Sequence, residues 1–356
     1  MIKIRTYIGR KLNYINGILR RQIELDRYLK DKPDIKLEYI YYTAPKHPLD
    51  FIAKRYILFP ISSKKYSNEK NVVNHITFQY LGDLGHFLNK NNTIITCHDI
   101  FTFIEKRNIK NPKIIQAYAI TGLKKCKKII AISNFTKNEL ISKLKIPESK
   151  IIVIKNGINN KIFYPMNNSQ LEKVEPLFPG KIKILHVGTE AGRKDFLTLV
   201  KAFYLLKKKI KNIKLIRIGN PLYKNALKQM GLENDVVYIS NISDSRLREI
   251  YNLCDVFVFP SLYEGWGAPG LEAAACGTPV ICTNIPVFRE VYQDFPLYFP
   301  PKDFKTLSHL MFEVLTNKSM KREMGKKNAK IIKQYSWKDS SKKYVKLIKK
   351  ILDYNV

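Results

Sequence analysis

Short β-branched runs alternate with amphipathic stretches along nearly the whole chain, the pattern of successive βαβ units that feed parallel sheets. A layered α/β fold follows. Strands are expected at Ile2–Ile8, Ile35–Tyr42, Val72–Ile76, Thr93–Cys97, Ile129–Ile132 and Ile151–Ile154. Helices lie between them, most clearly at Gly17–Leu29, Pro112–Lys127 and Asn134–Leu144, the last opened by Ser133 as its cap. The stretch YPMNNSQLEKVEPLFPGK, Tyr164 to Lys181, has three prolines, one glycine and little periodicity, which places a domain boundary there. The alternation then restarts, with strands at Ile182–Val187, Lys214–Ile218, Val236–Ile239, Val256–Phe259 and Val280–Cys282 and helices at Phe196–Lys209, Asp244–Leu253 and Leu271–Ala275. The reading is two doubly wound parallel-sheet domains, 1–170 and 171–335. Helical spacing continues to the end, where Asp303 to Asn355 read as two or three helices.

The 63 lysines and arginines face 30 acidic residues, a net charge of +33 spread over both halves of the chain. Such an excess favours anionic partners: nucleic acid, phosphorylated metabolites or an acidic membrane face. The opening MIKIRTYIGRKLNYING meets a charge every few residues and has no apolar core of a secretory signal. No stretch approaches the roughly 20 apolar residues that span a bilayer. Five cysteines, odd in number and without C-x-x-C spacing, read as reduced buried thiols of a cytoplasmic protein. Six histidines show no metal-ligand spacing, so neither a metal nor a resident cofactor is expected.

Ligands of doubly wound domains bind outside the carboxyl ends of the strands, so polar residues just after strands are the ones to inspect. The segment PSLYEGWGAPGLEAAACGTP, Pro260 to Pro279, follows the apolar strand VFVF and runs through a glycine loop into a short helix with Pro269 in its first turn. A glycine loop lets backbone N–H groups approach a ligand, and a helix amino terminus favours phosphate oxygens. Glu264 enters the loop and Glu272 lies about one turn inside the helix. A second strand end, VGTEAGRKD, carries adjacent Arg193 and Lys194, a pair suited to a diphosphate. A third, ITCHDIFTF, places His98 and Asp99 at a sheet edge, with Asp99 either capping a helix or orienting His98. His75 is a further candidate for a ligand-facing position, and Gly17 sits in the turn before the first helix.

Together these residues carry a resemblance: the chain resembles the retaining glycosyltransferases of family 4, which have the two-domain GT-B fold. The resemblance rests on the E-x7-E spacing of Glu264 and Glu272 in EGWGAPGLE and on the following EAAACGTPVI. It is supported by VIKNGINNKIFYP, AISNFTKNEL, CHD at Cys97 to Asp99 and NLCDVFVFPS. It implies two Rossmann-like domains facing a cleft, the first for the acceptor and the second for a nucleotide sugar, with a C-terminal helix in residues 336–356 that crosses back to the first domain. It further implies that Glu272 binds ribose hydroxyls, that Glu264 and His98 lie at the reaction centre, and that Arg193 and Lys194 neutralise the diphosphate. Backbone of Gly265, Gly267, Ala268, Pro269, Gly270 and Leu271 would hold phosphates and sugar. Ser240, Asn241 and Ile242 would border the nucleobase, and Gly17 and Asp99 would approach donor or acceptor. The sequence departs from the family pattern at Thr189, where a basic residue is usual, and at Trp266, Ala268 and Gly270 within the loop.

The function expected from the resemblance is metal-independent, retaining transfer of a hexose, mannose or glucose, from a nucleoside-diphosphate sugar to a hydroxyl acceptor such as a lipid-linked glycan. A sugar-nucleotide epimerase would need additional acids or bases in the first domain. A nucleic-acid-binding protein would carry an aromatic-basic recognition module, and none is evident. The segment HPLDFIAKRYILFPISSKKY, His47 to Tyr66, reads either as a buried helix with solvated lysines or as a functional surface, a shallow dock on the anionic inner face of the cell membrane or a face turned to the acceptor. GLKKCKK, Gly122 to Lys128, raises the same question.

Overall fold

A computed structural model describes residues 1–10, 17–65, 69–105, 113–174, 182–188, 192–221 and 223–353. Two compact units emerge, Met1–Gly157 together with Ser336–Val356, and Ile158–Tyr335. The break falls ahead of the proline-rich Tyr164–Lys181 stretch. Local bonding explains why: Ile158 N donates to Tyr335 O (3.0 Å) and Phe163 packs edge-on against Tyr251, so this stretch is bound into the second unit.

The first unit holds strands β1 (Ile2–Arg10), β2 (Ile35–Tyr42), β3 (Val72–Ile76), β4 (Thr93–Cys97), β5 (Lys128–Ala131) and β6 (Ile151–Val153). All pair in parallel in the order β2-β1-β3-β4-β5-β6. Every residue of β3 and β4 is buried, as expected for central strands covered on both faces. The final helix, Trp337–Ile351, belongs to this unit. Its Tyr344, Leu347, Ile348 and Ile351 share one core with Ile2, Ile4, Leu25 and Leu29. Polar ties fix its register: Ser340 Oγ donates to Lys155 O (2.6 Å), and the Tyr344 hydroxyl bonds His75 Nδ1 (3.0 Å). Gly157 is glycine because a Cβ there would lie 2.2 Å from the Trp337 backbone nitrogen.

The second unit holds β7 (Ile182–Val187), β8 (Ile213–Ile218), β9 (Val236–Ile239), β10 (Val256–Phe259), β11 (Val280–Thr283) and β12 (Leu297–Phe299), parallel in the order β12-β11-β10-β7-β8-β9. The three-residue β12 is too short to announce itself by periodicity. Strand order reverses between β7 and β10 here and between β1 and β3 in the first unit. Doubly wound sheets bind ligands at such switch points, because the loops leaving the two strands diverge to opposite faces and open a crevice.

Between β2 and β3 the chain forms Pro48–Ile52, a wide turn at Ala53–Leu58 and Phe59–Lys64 as successive helical segments. Only Arg55, Phe59, Pro60 and Ser63 are buried, so the buried-helix reading of this segment does not hold. Among the described residues, no helix is long and apolar enough to cross a membrane.

Candidate functional site

At the switch point of the second sheet, the loops that follow β7 and β10 are bonded to each other. Leu262 N donates to Arg193 O (2.7 Å), and the Arg193 guanidinium returns a bond to Tyr263 O (2.8 Å). Both cations of the Arg-Lys pair then converge on one carboxylate: Arg193 Nη1 lies 3.2 Å from Glu264 Oε2, and Lys194 Nζ bonds Glu264 Oε1. Lys194 also stands 5.3 Å from the centre of the Phe259 ring. Glu264 is buried, and burial opposes its charge. The Lys194 and Arg193 charges, with the Ser261 hydroxyl beside them, outweigh that and hold the carboxyl below its usual range. The result is two cations fixed beside a strand end by an internal anion.

The glycine loop follows. Gly267 occupies the left-handed region (φ 87°) as the residue before the helix Ala268–Ala275, and no side chain caps that helix end. Pro269 stands in the first turn. Both Gly267 and Gly270 are forced by one partner, Tyr292: a Cβ at either would lie 2.4 Å from its hydroxyl oxygen. That hydroxyl donates to Gly267 O, and the Tyr292 ring stacks on Phe288 at 4.8 Å. Trp266 is buried edge-on against Tyr335, with centroids 5.2 Å apart. Gly265 and Leu271 are buried, while Ala268 and Pro269 are half-exposed at the uncapped end. Helix amino termini without side-chain caps leave backbone N–H groups available to an anion.

Glu272 is buried one turn into that helix and accepts a hydrogen bond from the Tyr251 hydroxyl (3.1 Å). It also lies close enough to Cys276 to reinforce the upward push that burial gives that thiol. The two acids of the E-x7-E spacing therefore face different partners, Glu264 the cation pair and Glu272 the preceding helix Asp244–Leu253. Ser240, Asn241 and Ile242 sit at the carboxyl end of β9, on the same sheet edge but two strands from β7. Asn241 takes a left-handed φ of 54°, and Ser243 caps the next helix through Arg246 N (3.2 Å).

Sequence reasoning missed Tyr251, Tyr292 and a buried pair, His186 and Arg217. The last two are register partners on β7 and β8, with Arg217 Nη1 3.3 Å from His186 Nδ1 and the guanidinium 4.1 Å above the Phe196 ring. Burial, with the Arg217 and Lys194 charges, holds His186 neutral, its pKa well below the ordinary value. The available signal was a basic residue inside each apolar strand.

In the first unit, His98 lies just past β4. Its Nε2–H donates to Thr77 O (3.1 Å), which fixes the tautomer and leaves Nδ1 as an acceptor. Its backbone N–H donates to Gln79 Oε1 (3.1 Å). Burial, with the nearby Arg21 cation, lowers its pKa to about 3, so the ring is neutral. Asp99 accepts from Phe101 N (3.1 Å) at the start of the short helix Phe101–Ile104. Of the two readings of Asp99, capping is the one realised, and the His98 ring is oriented by Thr77. His75 does not face a ligand. Both its ring nitrogens are engaged in the interior, by Tyr344 and by Thr96 Oγ1 (2.8 Å). Gly17 begins the helix Gly17–Leu29 beside the first switch point, and the turn before it lies outside the described residues, as does Thr189.

All five cysteines are free and buried. Among the described residues, no group of three or more His, Cys, Asp or Glu side chains is placed to hold a metal ion.

Residues 167–331 match the family model described as glycosyl transferases group 1, and residues 38–161 match glycosyltransferase family 4. The O-antigen chain mannosyltransferase B of Escherichia coli is 27% identical over 266 residues, which cover 69% of this chain and 67% of that protein. The serotype-specific mannosyltransferase WbdA of Escherichia coli is 25% identical over 263 residues, 70% of this chain but only 32% of the longer relative. The solved structure of sucrose-phosphate synthase from Thermosynechococcus elongatus superimposes with a TM-score of 0.80 over 100% of both chains at 18% identity. Two parallel-sheet units, the loops joined at the second switch point and these matches lead to one statement: the chain belongs to the group 1 glycosyltransferases of the family 4 type, with the GT-B fold.

Proposed function

We propose that this glycosyltransferase moves a hexose, mannose before glucose, from a nucleoside-diphosphate sugar to a hydroxyl of a lipid-linked glycan during assembly of a surface polysaccharide. The single observation that carries the reading is the convergence of Arg193 and Lys194 on Glu264 beside the uncapped helix end at Ala268. The names of the two Escherichia coli relatives support mannose and the glycan acceptor. The cytoplasmic face of the membrane is the place of work in this reading.

In the ground state Glu264 neutralises the two cations. A bound diphosphate takes over part of that role, and Arg193, Lys194 and the helix amino terminus then stabilise the charge that grows on the departing phosphate oxygen. Because these positive groups are already in place, the reaction has no need of a divalent ion. Glu272 accepts from the ribose hydroxyls beside Tyr251, and Glu264 contacts the donor sugar. Backbone groups between Gly267 and Leu271 hold phosphate and sugar, with the N–H donors coming from residues other than Pro269, and residues 240–242 border the base. The C1–O bond to phosphate breaks as the acceptor oxygen bonds C1 from the same face, and the acceptor's proton passes to the leaving phosphate oxygen. Configuration is thereby retained. His98, held neutral, approaches the anomeric carbon through its free Nδ1. Two-carboxylate glycosidase logic does not apply, because both acids belong to the donor side.

Incubation with GDP-mannose, UDP-glucose and ADP-glucose, each with a polyprenyl-linked glycan and excess chelator, tests this reading. The expected product is an α-linked hexose from one donor, with turnover unchanged by chelation. Inversion at the anomeric carbon, or turnover that needs an added divalent ion, would overturn the mechanism.

A further inference from the structure

The carboxyl edge of the first sheet carries a row of aromatic side chains that the donor site does not use. Phe78 and Tyr80 leave the end of β3, and Phe103 stands on the short helix after β4. The three rings meet edge to face in series, Phe78 with Tyr80 and Tyr80 with Phe103, each pair with centroids 5.9 Å apart. Phe78 and Phe103 pack on the core of this unit, yet all three residues stay half-exposed. Apolar ring surface left in water is unfavourable, and a contiguous set beside polar groups marks a ligand surface.

The row is fixed from several sides. Gly9 takes a left-handed φ of 89° where β1 shifts its register against β2, and a Cβ there would lie 3.3 Å from Leu81 and 3.6 Å from the Phe78 ring. The Phe78 ring therefore lies against the end of β1, at the switch point between β1 and β3. Buried Arg55 donates to Tyr80 O (2.7 Å), and the Tyr80 hydroxyl bonds Oγ1 of buried Thr102. The residues that alternate with these rings anchor His98: Thr77 O accepts from its imidazole, and Gln79 Oε1 accepts from its backbone N–H. Thr77 and Gln79 are themselves buried, so each ring on this loop is one residue from a rigid anchor of His98.

We propose that Phe78, Tyr80 and Phe103 form a platform on which a pyranose ring of the acceptor glycan rests, with His98 at its polar border. The chemistry of the surface selects this occupant. A pyranose carries apolar C–H patches on its faces and hydroxyls around its rim. Aromatic faces are electron-rich and attract the C–H patches, while His98 Nδ1 and the half-exposed Asp99 carboxylate offer acceptors to the hydroxyls. An isoprenoid chain would gain nothing from that polar border. The inference rests on the transferase reading for the class of its ligand and on these rings for its place.

Saturation-transfer NMR on the full chain tests it, with mannobiose, cellobiose and chitobiose as saccharide probes and geranyl phosphate as the isoprenoid probe. At least one disaccharide is expected to bind, with stronger saturation of the C–H protons on one face of a sugar ring. Phe78→Leu and Phe103→Leu keep apolar volume but remove the aromatic face, and each is expected to weaken that binding by about fivefold. Phe78→Tyr keeps the ring and the wild-type affinity. All variants keep the thermal shift given by a nucleotide sugar, because the donor residues lie in the second unit. Failure of all three disaccharides to bind, or equal affinity of wild type and both leucine variants, overturns the proposal. So does binding of geranyl phosphate that the leucine variants abolish while saccharide binding persists. If a disaccharide binds as expected while no nucleotide sugar shifts the melting temperature, the transferase reading fails and the platform stands. Nucleotide-sugar binding without any disaccharide binding removes the platform and leaves the donor site intact.

Discussion

Replacing Glu264 by glutamine removes one negative charge and keeps the shape. Arg193 and Lys194 would then share a pocket with no counter-charge, their side chains 20% and 12% exposed and the glutamate only 9%. Breaking a buried ion pair by neutralising one partner costs about 3–5 kcal/mol. The amide still accepts hydrogen bonds and both cations keep some water, so a loss of about 3 kcal/mol is expected. For a unit of this size that lowers the melting temperature by about 6–12 °C. The same change frees the cations for an external anion. Inorganic pyrophosphate at about one hundred times its dissociation constant returns about 2.7 kcal/mol. Differential scanning fluorimetry, with and without pyrophosphate, reads both effects. The Glu264→Gln variant should melt lower and gain more from pyrophosphate than wild type does. A variant that melts with wild type, or gains less than wild type from pyrophosphate, refutes the claim that Glu264 occupies the cations in the unliganded protein.

Gly270→Ala would set a methyl 2.5 Å from Cζ of the buried Tyr292 ring, and overpacking of this kind costs about 1–3 kcal/mol; an unchanged urea midpoint would show that Tyr292 yields. Glu272→Ala should leave the Tyr251 hydroxyl without its acceptor and abolish the thermal shift given by a nucleotide sugar; a preserved shift removes Glu272 from the donor site. His75, His98 and His186 are neutral when folded, with pKa values below the ordinary 6.5, and His98 titrates at about 3. The unfolded chain therefore binds more protons below pH 6.5. Their stabilisation is complete above that pH and is lost as pH falls towards the folded values, at about 1.4 kcal/mol per pH unit for each. Urea midpoints should drop between about pH 7 and about pH 5.5, and a flat profile would contradict the neutral assignment.

The strand ends were legible because β-branched runs are local signals, and the residues that follow them in sequence must lie at the sheet's carboxyl edge. That is why Arg193, Lys194 and Glu264 could be nominated from two short words of sequence before their convergence was visible. His75 stayed open in the sequence for the opposite reason: its partner Tyr344 is 269 positions away, on a helix whose docking no local pattern records. Tyr292 was invisible in the same way, since the demand for glycine at 267 and 270 comes from a ring beyond the next strand. Asp99 carried two legible readings, and only the position of Phe101 N decided between them. The outward face of Pro48–Lys64 has helical composition whichever side is buried, so its exposure had to come from the structure.

The central claim is that fixed cations beside β7 hold a sugar donor's diphosphate. Isothermal titration with GDP-mannose in the presence of chelator, for wild type and for Arg193→Ala/Lys194→Ala, tests it most directly. The account predicts saturable binding by the wild type and a loss of affinity of at least about one hundredfold in the variant, two charge-assisted contacts at about 1.5–3 kcal/mol each. Equal affinity of the two proteins for the nucleotide sugar would contradict it.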